Sequence, residues 1–142
     1  MGQGLYKNVN FADSFEKGMR GWIITGAVLA GIAILLGAFG AHGLKNKITA
    51  DYLTIFDTGV KYHFYHALGL IIIGILAFHF PSEPLNIPSI FFIAGICLFS
   101  GSLYFLSITD FKWIGAVTPF GGFSFIIGWI LTAYYIWRAP SL

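Results

Sequence analysis

Charge is what this 142-residue chain has least of: six acidic and eight basic side chains make up 10% of it. A water-soluble domain carries about 25%. The shortage excludes two classes at once. With 57% apolar residues there is ample material for a packed interior, so intrinsic disorder is out. A net charge of +2 and no run of Lys or Arg leave nothing to neutralise a string of phosphates, so a nucleic-acid binder is out as well. Cysteine is scarcer still. A lone Cys97 in an apolar run can form neither an intrachain disulfide framework nor a thiolate zinc site.

What is present is apolar length. Crossing a hydrocarbon layer about 30 Å thick takes about 20 mainly apolar residues in a helix, which pairs its own backbone polar groups. Four windows free of Asp, Glu, Lys and Arg meet that length: 24 residues between Arg20 and Lys45, 21 between Lys61 and Glu83, 26 between Glu83 and Asp110, and 25 between Lys112 and Arg138. The expected fold is therefore all-α, an integral membrane four-helix bundle with spans at about 21–41, 62–80, 88–107 and 117–137. Trp22, Trp113 and Trp137 stand at window edges, where an indole prefers the headgroup layer, whereas Trp129 lies deeper, as a packing residue would. Pro81, Pro84 and Pro88 cluster after the second window and mark a rigid turn, and Thr118-Pro119 marks a helix start.

The second helix is expected to outrun the membrane. Thr49 is a plausible N-cap with Asp51 in the first turn, and the helical pattern continues to Phe80. At about 1.5 Å per residue that reach is about 48 Å, so the segment extends beyond the bilayer. Asp57 precedes Lys61 by four residues, the favourable order for a helical ion pair. Residues 1–20, with charges among Phe11, Phe15 and Met19, read as an interfacial segment, and residues 21–142 as the transmembrane domain. The first apolar run is too long, and its approach too mixed in charge, for a cleaved signal peptide. Four spans place both termini on one side. Lys and Arg then divide four against four between the two sides, which leaves the orientation undecided.

The topology gathers His42, Asp57, Lys61, Tyr62, His63, His66 and Asp110 at the end of the bundle that carries the first and third loops. His63 and His66 share a helical face, as do Tyr62 and His66. Three readings of this polar cluster compete. The imidazoles can satisfy freed carbonyls and one another and so hold helix one against helix two. They can ligate, with His42, His63 and His66 as the metal or haem donors, although the spacing matches no metal motif. They can bind a proton, a quinone or an acidic lipid headgroup. No nucleophilic catalytic arrangement is evident, and Ser100 and Ser102 read as hydrogen-bonding partners within a span. Small residues permit close helix packing in lipid, and Gly37, Gly40, Gly43, Gly101, Gly121 and Gly122 are the candidates for it.

Four stretches in fixed order resemble the YgdD-like (YwdK-like) family of small bacterial membrane proteins. They are Leu36-Gly-Ala-Phe-Gly-Ala-His42-Gly-Leu, Thr58-Gly-Val-Lys-Tyr-His63-Phe-Tyr-His66-Ala-Leu, Leu98-Phe-Ser-Gly-Ser-Leu-Tyr104 and Thr118-Pro-Phe-Gly-Gly122. The resemblance covers roughly Leu36 to Trp129 and implies a four-helix protein of the bacterial inner membrane. The family is a domain of unknown function, so no catalytic role is implied, but its signature segments contain His42, Lys61, Tyr62, His63 and His66. The N-terminal extension to about Gly18 departs from the family's short start. The expected function is that of a non-enzymatic accessory, scaffold or oligomeric membrane component, with no cofactor, whose partners are the lipid bilayer and a second copy or a larger complex. The alternative is a His-centred binding protein.

Overall fold

The computed structural model describes the backbone of residues 3–140 and the side chains of residues 17–140. Five α-helices and three short turns of other pitch make up four long segments. Helix α1 (Gln3–Phe39) runs into a π-helical turn at Gly40–Leu44, and α2 spans Ala50–His79. The third segment consists of α3 (Asn86–Gly95), a π-turn at Ile96–Ser100 and α4 (Gly101–Thr109). A 3-10 turn at Lys112–Ala116 leads into α5 (Thr118–Arg138). Lys17–Leu44, Ala50–His79, Asn86–Thr109 and Lys112–Arg138 are each long and apolar enough to cross a membrane. The backbone of the N-terminal segment continues into the first span as one helix. The side chains of Phe11 and Phe15, on which the interfacial reading rested, lie outside the described residues.

Local chemistry sets the ends. The Thr49 hydroxyl accepts the Tyr52 N–H and caps α2, with Asp51 in the first turn. Phe80, immediately before Pro81, leaves helical geometry at φ −124° and ψ 64°, as the clash with a following proline ring demands. α4 stops at Asp110, which adopts left-handed geometry (φ 56°) while its N–H bonds the Leu106 carbonyl. Pro119 occupies the first turn of α5, where its missing N–H costs nothing.

Helix α2 is central. α1 packs along one side of it, antiparallel, and makes little contact with the last two segments. The third segment packs on the other side and against α5. Glycines set these approaches. A Cβ at Gly26 would stand 2.6 Å from the Ala67 carbonyl oxygen, and one at Gly74 would stand 2.6 Å from the Ile23 side chain. Gly37 meets Val60 and Gly40 meets Phe56 in the same seam. Between the third and fourth spans Gly95 lies against the Phe125 ring, Gly121 against the Phe99 backbone and Gly128 against the Phe92 ring. Leu70, Ile73, Phe92, Ile96 and Phe125 fill the core between them.

Three of the expected packing glycines need correction. The nearest neighbour of Gly43 is Phe39 of its own helix, while Gly101 and Gly122 have ordinary space around them. Each residue turns a helix by about 100°, so Gly122 is rotated off the face that Gly121 presents. Gly26, Gly74, Gly95 and Gly128 take the tight positions instead.

Gly121→Ala should lower the melting temperature in detergent, at an overpacking cost of about 1–3 kcal/mol. Gly122→Ala should be neutral or slightly stabilising, because it gains helix propensity without a clash. Equal effects from the two substitutions, measured by thermal unfolding, would contradict this packing.

Candidate functional site

The polar residues expected at one end of the bundle divide among several separate places. Gly59 and Gly69 remove side-chain bulk from the α2 face that meets the third segment, and the Tyr104 and Phe92 rings fill that space. His63 and His66 occupy the same broad face and are both buried. They are bonded differently.

His66 is fully satisfied. Its Nδ1 lies 2.7 Å from the Tyr62 carbonyl oxygen, which only accepts, so Nδ1 carries the proton. Its Nε2 accepts the indole N–H of Trp129 on α5 at 3.2 Å. These two bonds select the neutral imidazole with the proton on Nδ1. The ring also stacks on Phe125, with centroids 3.4 Å apart and planes within 10°. His66 therefore joins α2 to α5 through one hydrogen bond and one stacked face.

His63 Nδ1 shares a hydrogen bond of 3.2 Å with the Tyr104 hydroxyl on α4. Its Nε2 is buried, and no protein group reaches it. Tyr62 packs its ring on Phe99, with centroids 4.6 Å apart. At the rim the Tyr52 hydroxyl donates to the Asp110 carboxylate, tying the start of α2 to the end of α4. Lys61 and Asp57 form the expected ion pair at 2.7 Å, with both side chains more than half exposed.

His42 is not brought to His63 and His66. Its Nδ1–H donates to the Ala38 carbonyl of the preceding turn, and the side chain is exposed. The antiparallel seam explains the separation. Gly40 lies level with Phe56, and seven further residues of α2 place His63 about 10 Å deeper along the axis. Among the described residues no three His, Cys, Asp or Glu side chains converge as a metal shell would require. The three-imidazole metal site is thus corrected: two of its members belong to the interior and the third to the rim. A cleft of about 330 Å³ does open at that rim, lined by Gly37, Gly40, Phe56, Asp57 and Val60 among others.

Trp129 and Tyr104 escaped the sequence reading as hydrogen-bonding partners, and Ser100, which was read as one, makes no hydrogen bond to a protein group. Trp129 was placed as packing, although an indole N–H at membrane depth ordinarily needs an acceptor, and that need points to a partner. Tyr104 and Ser100 lie within a family-like segment yet carry no periodic signal of their own. At the opposite end Arg138 Nε bonds Glu83 Oε2 at 2.7 Å, and Glu83 is buried. Four crossings put the second loop and the C-terminal end on one side, so this pairing was within reach of the topology. Trp22 and Asn86, bonded at 2.6 Å, join the start of the first span to the same loop.

Trp129→Phe keeps an aromatic ring but strips His66 Nε2 of its donor. The unmet buried acceptor should cost about 1–3 kcal/mol. Lys61→Ala, which opens an exposed pair, should cost no more than about 1 kcal/mol. Thermal unfolding in one detergent measures both, and a larger loss for Lys61→Ala would reverse the ranking.

The sequence has relatives. A family described as "Protein of unknown function (DUF423)" matches residues 36–122. UPF0382 membrane protein YwdK of Bacillus subtilis is 50% identical over 118 residues, covering 80% of this chain and 93% of the relative. UPF0382 membrane protein SSP2132 of Staphylococcus saprophyticus is 46% identical over 115 residues, with the same two coverages. No solved structure matches. With four membrane-competent helices and relatives of this identity along most of its length, the chain belongs to the DUF423 family of membrane proteins, whose molecular function is unknown.

Proposed function

We propose that this protein is a non-enzymatic, multi-pass component of the bacterial inner membrane, acting as an accessory or scaffold subunit in a homo-oligomer or a larger complex. The observation that carries the reading is His66, whose two ring nitrogens are both engaged within the protein, one by α2 and one by α5. Two further interior contacts follow the same pattern. Ser102 and Thr118 bond each other at 2.7 Å, and the Ser124 hydroxyl donates to the Phe91 carbonyl at 2.7 Å. Each of these bonds joins the third segment to the fourth. A catalytic centre needs reactive groups converging on an accessible space. The rim cleft offers one carboxylate, already paired with Lys61.

The test is isolation of the tagged full chain from bacterial inner membranes by mild solubilisation, followed by native mass spectrometry and a visible absorption spectrum. The expected result is a stoichiometric partner or a defined self-associated species. A lone monomer carrying stoichiometric haem or metal would overturn the reading in favour of His-centred binding.

A further inference from the structure

Among the described residues two buried side-chain atoms have no hydrogen-bond partner, His63 Nε2 and Ser100 Oγ. His63 is 4% exposed and Ser100 0%. The packing register puts them at one level. Tyr52 meets Asp110, Gly59 meets Leu103 and Tyr104, Tyr62 meets Phe99, and Gly69 meets Phe92. In this antiparallel series the residues opposite His63 run from Leu98 to Ser100, so the two atoms lie within about one helical turn of each other along the axis.

Ser100 lies in the π-turn and departs from the usual pairing of a helical hydroxyl. A serine or threonine within a helix ordinarily donates its hydroxyl to the carbonyl four residues back. Ser89, Ser107, Thr109 and Thr132 do so in this protein. For Ser100 that carbonyl belongs to Ile96, which in the wider turn accepts the Gly101 N–H, and the Ser100 hydroxyl does not bond it. Such turns recur at functional sites in helices.

We propose that His63 Nε2 and Ser100 Oγ hold one water molecule between them, a hydrated point inside the membrane bundle. The chemistry selects water over a larger ligand. Both neighbouring helices are closely packed there, and Tyr104 already occupies the other imidazole nitrogen. Water also serves either tautomer of His63. If Nδ1 accepts the Tyr104 hydroxyl proton, Nε2–H needs an acceptor; if Nδ1 donates, bare Nε2 needs a donor. A buried water ordinarily makes two to four hydrogen bonds to groups that would otherwise be orphaned. In hydrocarbon an orphaned polar atom is strongly disfavoured. His63 thereby becomes the buried histidine whose ring exchanges protons with water, while His66 remains closed to it. This assignment concerns the interior alone and stands whether or not the protein acts as a scaffold.

The experiment uses the full chain with His42→Gln and His79→Gln, which removes the two exposed imidazoles and leaves two of the four histidines. Ring nitrogens are labelled with 15N, and the protein is embedded in phosphatidylethanolamine and phosphatidylglycerol bilayers. Solid-state NMR then follows magnetisation transfer from water protons to each assigned ring. The expected result is rapid transfer to His63, slow transfer to His66, and loss of the His63 signal in Ser100→Ala. A His63 ring no closer to water than His66 would overturn the proposal, and that comparison needs no Ser100 variant. So would a direct His63 to Ser100 hydrogen bond, or a water contact unchanged by Ser100→Ala.

Discussion

Lipid tails are as apolar as leucine, so burying an apolar side chain between two of these helices gains little over leaving it in the bilayer. Association must come from close surface fit and from hydrogen bonds between helices. Both depend on backbones approaching closely, and glycine permits that approach. Gly26 against the Ala67 carbonyl and Gly74 against Ile23 bring α1 onto α2, and Gly121 against the Phe99 backbone brings α5 onto the third segment. The outward faces need no such fit. Ile24, Val28, Leu35, Phe120, Phe123 and Ile130 remain exposed, as suits a surface solvated by lipid.

Polar groups then sort by depth. At the rims water is an alternative partner, so a bond there contributes little to stability and mainly fixes position. Asp57 with Lys61 is of that kind. Tyr52 with Asp110 ties two elements at the end carrying the first and third loops, while Trp22 with Asn86 and Arg138 with Glu83 tie elements at the other end. These cross-connections agree with four crossings. In the interior there is no alternative partner, so each polar atom must be met within the protein or by a trapped water. The bonds of His66, Ser102 and Ser124 meet that demand by joining one span to another.

What could be read from the sequence follows from this division. The spans were legible because an absence of charge is a one-dimensional property, and the Thr49 cap and the Asp57 to Lys61 pair were legible because their partners lie three or four residues away. The interior was not. Grouping His42 with His63 treated the end of the first span and the entry of the second as one level. The seam that Gly37 and Gly40 form with Val60 and Phe56 instead carries α2 well past that point before His63. The choice among eighteen glycines likewise depends on which face each presents, and a shift of one residue moves that face by about 100°. Trp129 needed the same knowledge of facing to be matched with His66.

The π-turn supplies the phase that the third segment requires. Before it, Phe92 and Gly95 face the α5 glycine and aromatic positions; after it, Leu103 and Tyr104 face Gly59 of α2. One additional residue in a turn advances the helical phase by about 100°, which shifts the span's packing from mainly α5 before the turn to mainly α2 after it. The same widening diverts the Ile96 carbonyl to Gly101 and leaves the Ser100 hydroxyl beside the His63 level. Packing and hydration are thereby linked. The turn that fits the third span between its two neighbours also carries the one serine hydroxyl of that span that is not bonded to its own helix or to α5.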